Sequence, residues 1–151
     1  MAYIPEDAEW YLAWVVVEHI VGGDSRNVVH TNLMLIRAHS PDEAYVKAIE
    51  LGKASDMTYE NPQGESVVSV FRGLRELCVI YDKLEDGGEL TYDEKFGVPN
   101  EEIERGIKPK ERLAVFSEED VAAKPDYTPK EIADELERRF GEGEGSSGGA
   151  S

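Results

Sequence analysis

Basic residues are scarce in this chain, and the shortage sets the first limits on what it can do. There are 16 Lys and Arg against 32 Asp and Glu in 151 residues, a formal charge of −16. Such a surface repels phosphate backbones and anionic lipid, so nucleic acid and membranes are not expected as direct partners. Cysteine is almost absent: Cys78 stands alone, which excludes an internal disulfide framework and fits a reducing cytosol. Its apolar neighbours make it a small buried hydrophobe rather than a nucleophile. No apolar run approaches membrane-spanning length, and MAYIPEDAEW carries acids where a signal peptide needs a basic patch, so cytoplasmic residence is expected. Phosphate loops, dinucleotide fingerprints, nucleophile elbows and paired CxxC motifs are all missing, and no cofactor is implied.

What the chain does have is β-branched and aromatic residues in long runs. Glu65 to Leu84, ESVVSVFRGLRELCVIYDKL, is apolar on both faces, as an internal strand must be, and Gly73 interrupts it where a bulge or bend is expected. Trp10 to Ile20 is also apolar on both faces, and Gly22-Gly23-Asp24-Ser25 returns the chain into a partner strand over Val28 to Ala38. Ser40-Pro41-Asp42-Glu43 joins a serine N-cap, a proline at the first helical position and a capping-box glutamate, so a helix starts here. Its small residues Ala44, Ala48 and Gly52 recur at helical spacing and can lie close on a sheet.

Asn61-Pro62-Gln63-Gly64 turns the chain into the long run, and Asp86-Gly87-Gly88 leads to a short strand near Leu90 to Tyr92. Leu113 to Phe116 reads as a further edge strand. Thr128-Pro129-Lys130-Glu131 repeats the capping logic, and Ile132, Ala133, Leu136 and Phe140 draw one apolar stripe of a short C-terminal helix. The expected fold is α+β: about four mainly antiparallel strands in the order β-β-α-β-β, with one helix on one face. Trp14 and Phe71 are expected in the core. A single domain should occupy 1–116, a C-terminal helix region 117–140, and a Gly/Ser-rich flexible tail 141–151.

Three landmarks occur in order: Trp10-Tyr11 opening the first strand, Ser40-Pro41-Asp42-Glu43-Ala44 opening the helix, and Phe71-Arg72-Gly73-Leu74 in the long strand. Together they resemble the bacterial family catalogued as domain of unknown function DUF4288, over about residues 10–92. The resemblance implies a small cytoplasmic bacterial domain and transfers no catalytic residue.

Two regions are candidates for function. His19 and His30 face each other if Val21 pairs with Val28, but two ligands do not make a zinc site, and neither a third ligand nor an orienting acid is in evidence. Metal-binding and catalytic residues are therefore not assigned. Asp82, Asp86 and Asp93 superficially resemble a calcium loop, yet Leu84 stands at its third position and Asp93 replaces the bidentate glutamate. The second region, Glu85 to Glu104, holds eight acids, Glu85, Asp86, Glu89, Asp93, Glu94, Glu101, Glu102 and Glu104, and one base, Lys95. Like charges at that density do not stabilise a fold; they solvate or they recognise. The leading expectation is a non-enzymatic interaction domain, of inhibitor or immunity type, whose acidic segment docks a basic protein partner with help from Ile132, Leu136 and Phe140. A scaffold component that forms a homo-oligomer through its apolar strands comes second, and a small enzyme around His19 and His30 third.

Overall fold

The computed structural model describes residues 3–117 and 125–140, without the side chain of Phe140. The Gly/Ser tail expected beyond Phe140 lies outside the described residues. Four strands form one antiparallel sheet: β1 (Trp10–Val21), β2 (Val28–Arg37), β3 (Met57–Glu60) and β4 (Ser66–Val79), in spatial order β2-β1-β4-β3. Helix α1 (Pro41–Lys53) joins β2 to β3. The β-β-α-β-β order therefore holds.

The identity of its last two strands differs from expectation. Glu65 to Leu84 supplies the one strand β4, and its hairpin partner is the four-residue β3, which precedes it. The turn between them forms as expected around Asn61, whose side-chain oxygen accepts from the Gln63 and Glu65 N–H groups at 3.1 and 2.9 Å. Gly64 completes the turn at φ 80°. Leu90 to Tyr92, expected as a strand, runs beside Cys78 without joining the sheet. The Asp82 carboxylate engages the Glu89 N–H at 3.1 Å, removing a donor that a ladder would need. Leu113 to Phe116 is no edge strand either: Pro109 starts a 3₁₀ turn at Lys110–Arg112, after which the chain bends and Lys110 covers the Phe116 ring at 5.2 Å.

β1 and β4 are internal, which explains why both are apolar on two faces. Their register slips at Trp14/Val15 and again at Val16/Val17, so that β4 carries two more residues than β1 across this stretch, around Gly73 at φ 138°. A positive φ of that size is open to glycine and not to a side-chain-bearing residue without strain. Extra residues in one strand increase twist and bend it, and this is the bend that Gly73 foretells.

Tyr11, Ala13, Val15 and Val17 of β1 point to the α1 side, joined by Ile36, Val79 and the helix residues Ala44 and Ala48. The Ser40 hydroxyl accepts from the Glu43 N–H at 3.1 Å, while the Glu43 carboxylate accepts from the His39 N–H at 3.3 Å. The first bond satisfies a free amide of the helix's first turn; the second ties down the residue before the cap, where a capping box would bond the Ser40 N–H itself. The His39 bond, followed by the bond and charge of Lys47, holds the Glu43 carboxyl below its ordinary pKa despite an opposing desolvation effect. Gly52 is placed by contact: a methyl group there would penetrate the ring of Phe71. Trp14 and Phe71 are both partly buried, on opposite faces; Phe71 packs against the core and Trp14 does not belong to it.

Candidate functional site

The helix covers only one end of its sheet face. Beyond Val17 and Phe71 the same face continues with His19 and Val21 of β1, His30 of β2, Tyr59 of β3, and Ser69 and Val67 of β4. The observed pairs are His19 with Val28 and Val17 with His30, two residues from the register expected. A shift of two preserves the face, so the imidazoles still meet, as diagonal neighbours with ring centroids 4.8 Å apart.

A third ring lies with them. Tyr127 stacks on His19 at 5.2 Å and 21° and meets His30 edge-on at 4.8 Å and 82°. Its segment, Pro125-Asp126-Tyr127-Thr128-Pro129, crosses the sheet as a strap. Asn61 donates its amide to the Asp126 carbonyl at 3.0 Å, and the Tyr59 hydroxyl donates to the Tyr127 carbonyl. The Asp126 carboxylate accepts from the Thr128 N–H at 3.0 Å, closing a local turn. Helix α2 (Asn100–Arg105) precedes the strap in sequence and helix α3 (Lys130–Phe140) follows it directly.

His19 Nδ1 lies 2.6 Å from Ser69 Oγ. A serine bonded to an imidazole is the arrangement of a nucleophile and its base, but Ser69 is only 3% exposed, so the bond fixes the orientation of the ring. Burial, and secondarily the neighbouring His30, push the His19 pKa below that of a free imidazole. Among the described residues, no group of three or more His, Cys, Asp and Glu side chains could hold a metal ion.

The acidic segment lies elsewhere, past the end of β4. Glu85, Asp86, Glu89, Asp93, Glu94, Glu101, Glu102 and Glu104 are all exposed, the last three on α2. Its ion pairs are local and loose, Lys83 with Glu85 and Lys95 with Asp93, each at 4.0 Å. Between the acids stand large apolar side chains in water: Phe96 is 87% exposed, Tyr92 71% and Ile107 70%. Asp93, Val98, Glu102, Ile103 and Ile107 border a groove of about 570 Å³, which brings two of the expected acids to one place. A second recess, of about 350 Å³, is bordered by Cys78, Tyr81, Leu90 and Tyr92. Cys78 is partly buried and contacts Thr91 Oγ1 at 3.9 Å; burial raises its pKa, keeping it a thiol. Ile132 and Leu136 are half exposed on α3 and border neither groove, and the Phe140 side chain lies outside the described residues.

Sequence reasoning placed the two histidines together but missed Tyr127, Tyr59, Asn61 and Ser69. The available signal was Pro-Asp-Tyr-Thr-Pro: a residue before proline favours extended backbone, so two prolines around one aromatic mark a segment suited to lie across a sheet.

Among the described residues, no helix is long and apolar enough to cross a membrane. No curated protein and no solved structure matches the chain. A family model, however, matches residues 10–92, from the first residue of β1 past the end of β4, so the chain belongs to the DUF4288 family, a domain of unknown function.

Proposed function

We propose that this chain is a non-enzymatic interaction domain, of inhibitor or immunity type, that docks a basic protein partner through residues 85–107. The observation that carries the reading is the pattern of exposed apolar side chains, Tyr92, Phe96, Ile103 and Ile107, interspersed with exposed carboxylates. Isolated exposed apolar residues are ordinary, but a run of them flanking a groove marks an interaction surface. The carboxylates steer a basic partner and the apolar groups hold it once docked. The test is recovery of the protein from its host with a stoichiometric basic partner, followed by association rates measured over a range of salt. The expected outcome is a rate that falls steeply with salt and falls again in Glu101→Gln/Glu102→Gln/Glu104→Gln. Equal rates at low and high salt would refute it.

A second reading, self-association into a scaffold, rests on the sheet face opposite α1, where Val29, Leu33 and Leu35 of the edge strand β2 stand exposed. Sedimentation of the purified chain distinguishes the two, a homo-oligomer without any partner favouring the second.

A further inference from the structure

Three side-chain anchors tie the strap to the sheet: Tyr127 against the two imidazoles, Tyr59 on its carbonyl, and Asn61 on the carbonyl before it. We infer that Asp126–Thr128 is a proton-sensitive latch: protonation of the His19–His30 pair expels Tyr127 and uncovers the polar floor of His19, His30 and Ser69. This reading is independent of any partner at the acidic segment.

The groups around the pair decide the sign. On β1 the only titratable group on this face beside the strap is His19, since Glu18 points to the opposite face and pairs there with Arg72 at 3.5 Å. β2 contributes His30, β3 contributes Tyr59, and β4 contributes the uncharged Ser69 and Val67. Glu65 is engaged by Asn61 Nδ2 at 3.1 Å, and Asp126 by the Thr128 N–H. Among the described residues, no carboxylate forms an ion pair with either ring. The face of Tyr127 attracts a single imidazolium. It cannot offset two, because the second charge would sit 4.8 Å from the first with no counter-ion.

The strap itself desolvates His19, and lifting it returns the ring to water. The lowered pKa of His19 agrees in direction with this geometry. The docked form then binds fewer protons than the open form. Docking is complete above the ordinary imidazole pKa of about 6.5 and weakens as pH falls below it. For one proton taken up on opening, the open-to-docked ratio rises at most about tenfold per pH unit.

The test is proton NMR of the full chain between about pH 7.5 and pH 5, spanning ordinary imidazole titration. The Tyr127 ring signals are assigned by their loss in Tyr127→Ala. They should move from ring-current-shifted positions to those of a solvated tyrosine, while Phe71 signals stay in place. By reciprocity the His19 titration midpoint should rise in Tyr127→Ala, towards that of an exposed histidine. Tyr127 signals that do not move, or that move only together with those of Phe71, would overturn the latch. So would a His19 midpoint that is the same in both proteins.

Discussion

One sheet face carries two covers, and they are built on different chemistry. Over Tyr11 to Val17 the cover is α1, which brings Ala44, Ala48 and Gly52 against an apolar floor and draws its stability from area removed from water and close contact. Over His19, His30 and Ser69 the cover is a five-residue strap, which brings one aromatic ring and two carbonyls against a polar floor. The contact residues of the first cover, Ala44, Ala48 and Gly52, carry no titratable group. The second depends on hydrogen bonds worth about 1 kcal/mol each and on two imidazoles, side chains that can gain a charge. One domain therefore has a permanent lid and a conditional lid side by side.

The largest expected effect breaks the permanent side. Phe71→Ala removes the ring that Gly52 admits, and should destabilise the fold by roughly 3 kcal/mol, the low end for deleting a buried aromatic, since Phe71 is partly exposed. Urea unfolding measures it; an unchanged midpoint would mean that α1 does not depend on this contact. Gly52→Ala inserts a methyl into the same ring and should cost about 1 to 2 kcal/mol by overpacking, despite the better helix propensity of alanine. A more stable variant would show that the helix can shift away.

Ser40→Ala deletes the bond to the Glu43 N–H and should cost about 1 kcal/mol, loosening the start of the helix and leaving the strap in place. Tyr127→Ala, the counterpart on the conditional side, should leave the global urea midpoint within about 0.5 kcal/mol, the usual limit away from the core. A larger loss would mean that the two covers fold as one unit. The triple glutamine substitution at Glu101, Glu102 and Glu104 should have the smallest effect on stability of all, because these side chains are exposed on α2 and support nothing beneath them.

The same contrast explains which parts could be read from sequence. The apolar floor, the capping box at Ser40 and the small face of α1 are written as local periodicity and punctuation, so they were legible. β3 was not: Met57 to Glu60 is four residues long, mostly exposed, and becomes a strand only because β4 is beside it. The run Glu65 to Leu84 overextends β4 for the opposite reason, since apolar alternation continues through Tyr81, whereas the strand ends at Val79 and its last bond to β1 is that of the Ile80 N–H to the Trp10 carbonyl at 2.9 Å. In the site, the His19–His30 contact follows from hairpin register alone, whereas Tyr127 joins it from 108 positions beyond His19 and 97 beyond His30, where no short-range pattern operates.

That separation bears on the order in which the chain acquires its shape. The sheet and α1 can assemble from contacts between neighbouring elements, but seating the strap requires the stretch 80–125 to return to its starting edge, at a loop-closure entropy of about 3 kcal/mol. Two carbonyl bonds and a ring contact recover little more than that. The strap is accordingly the last part to arrive and the first to leave, and a chain emerging from synthesis holds its two histidines bare to water until Tyr127 has been made.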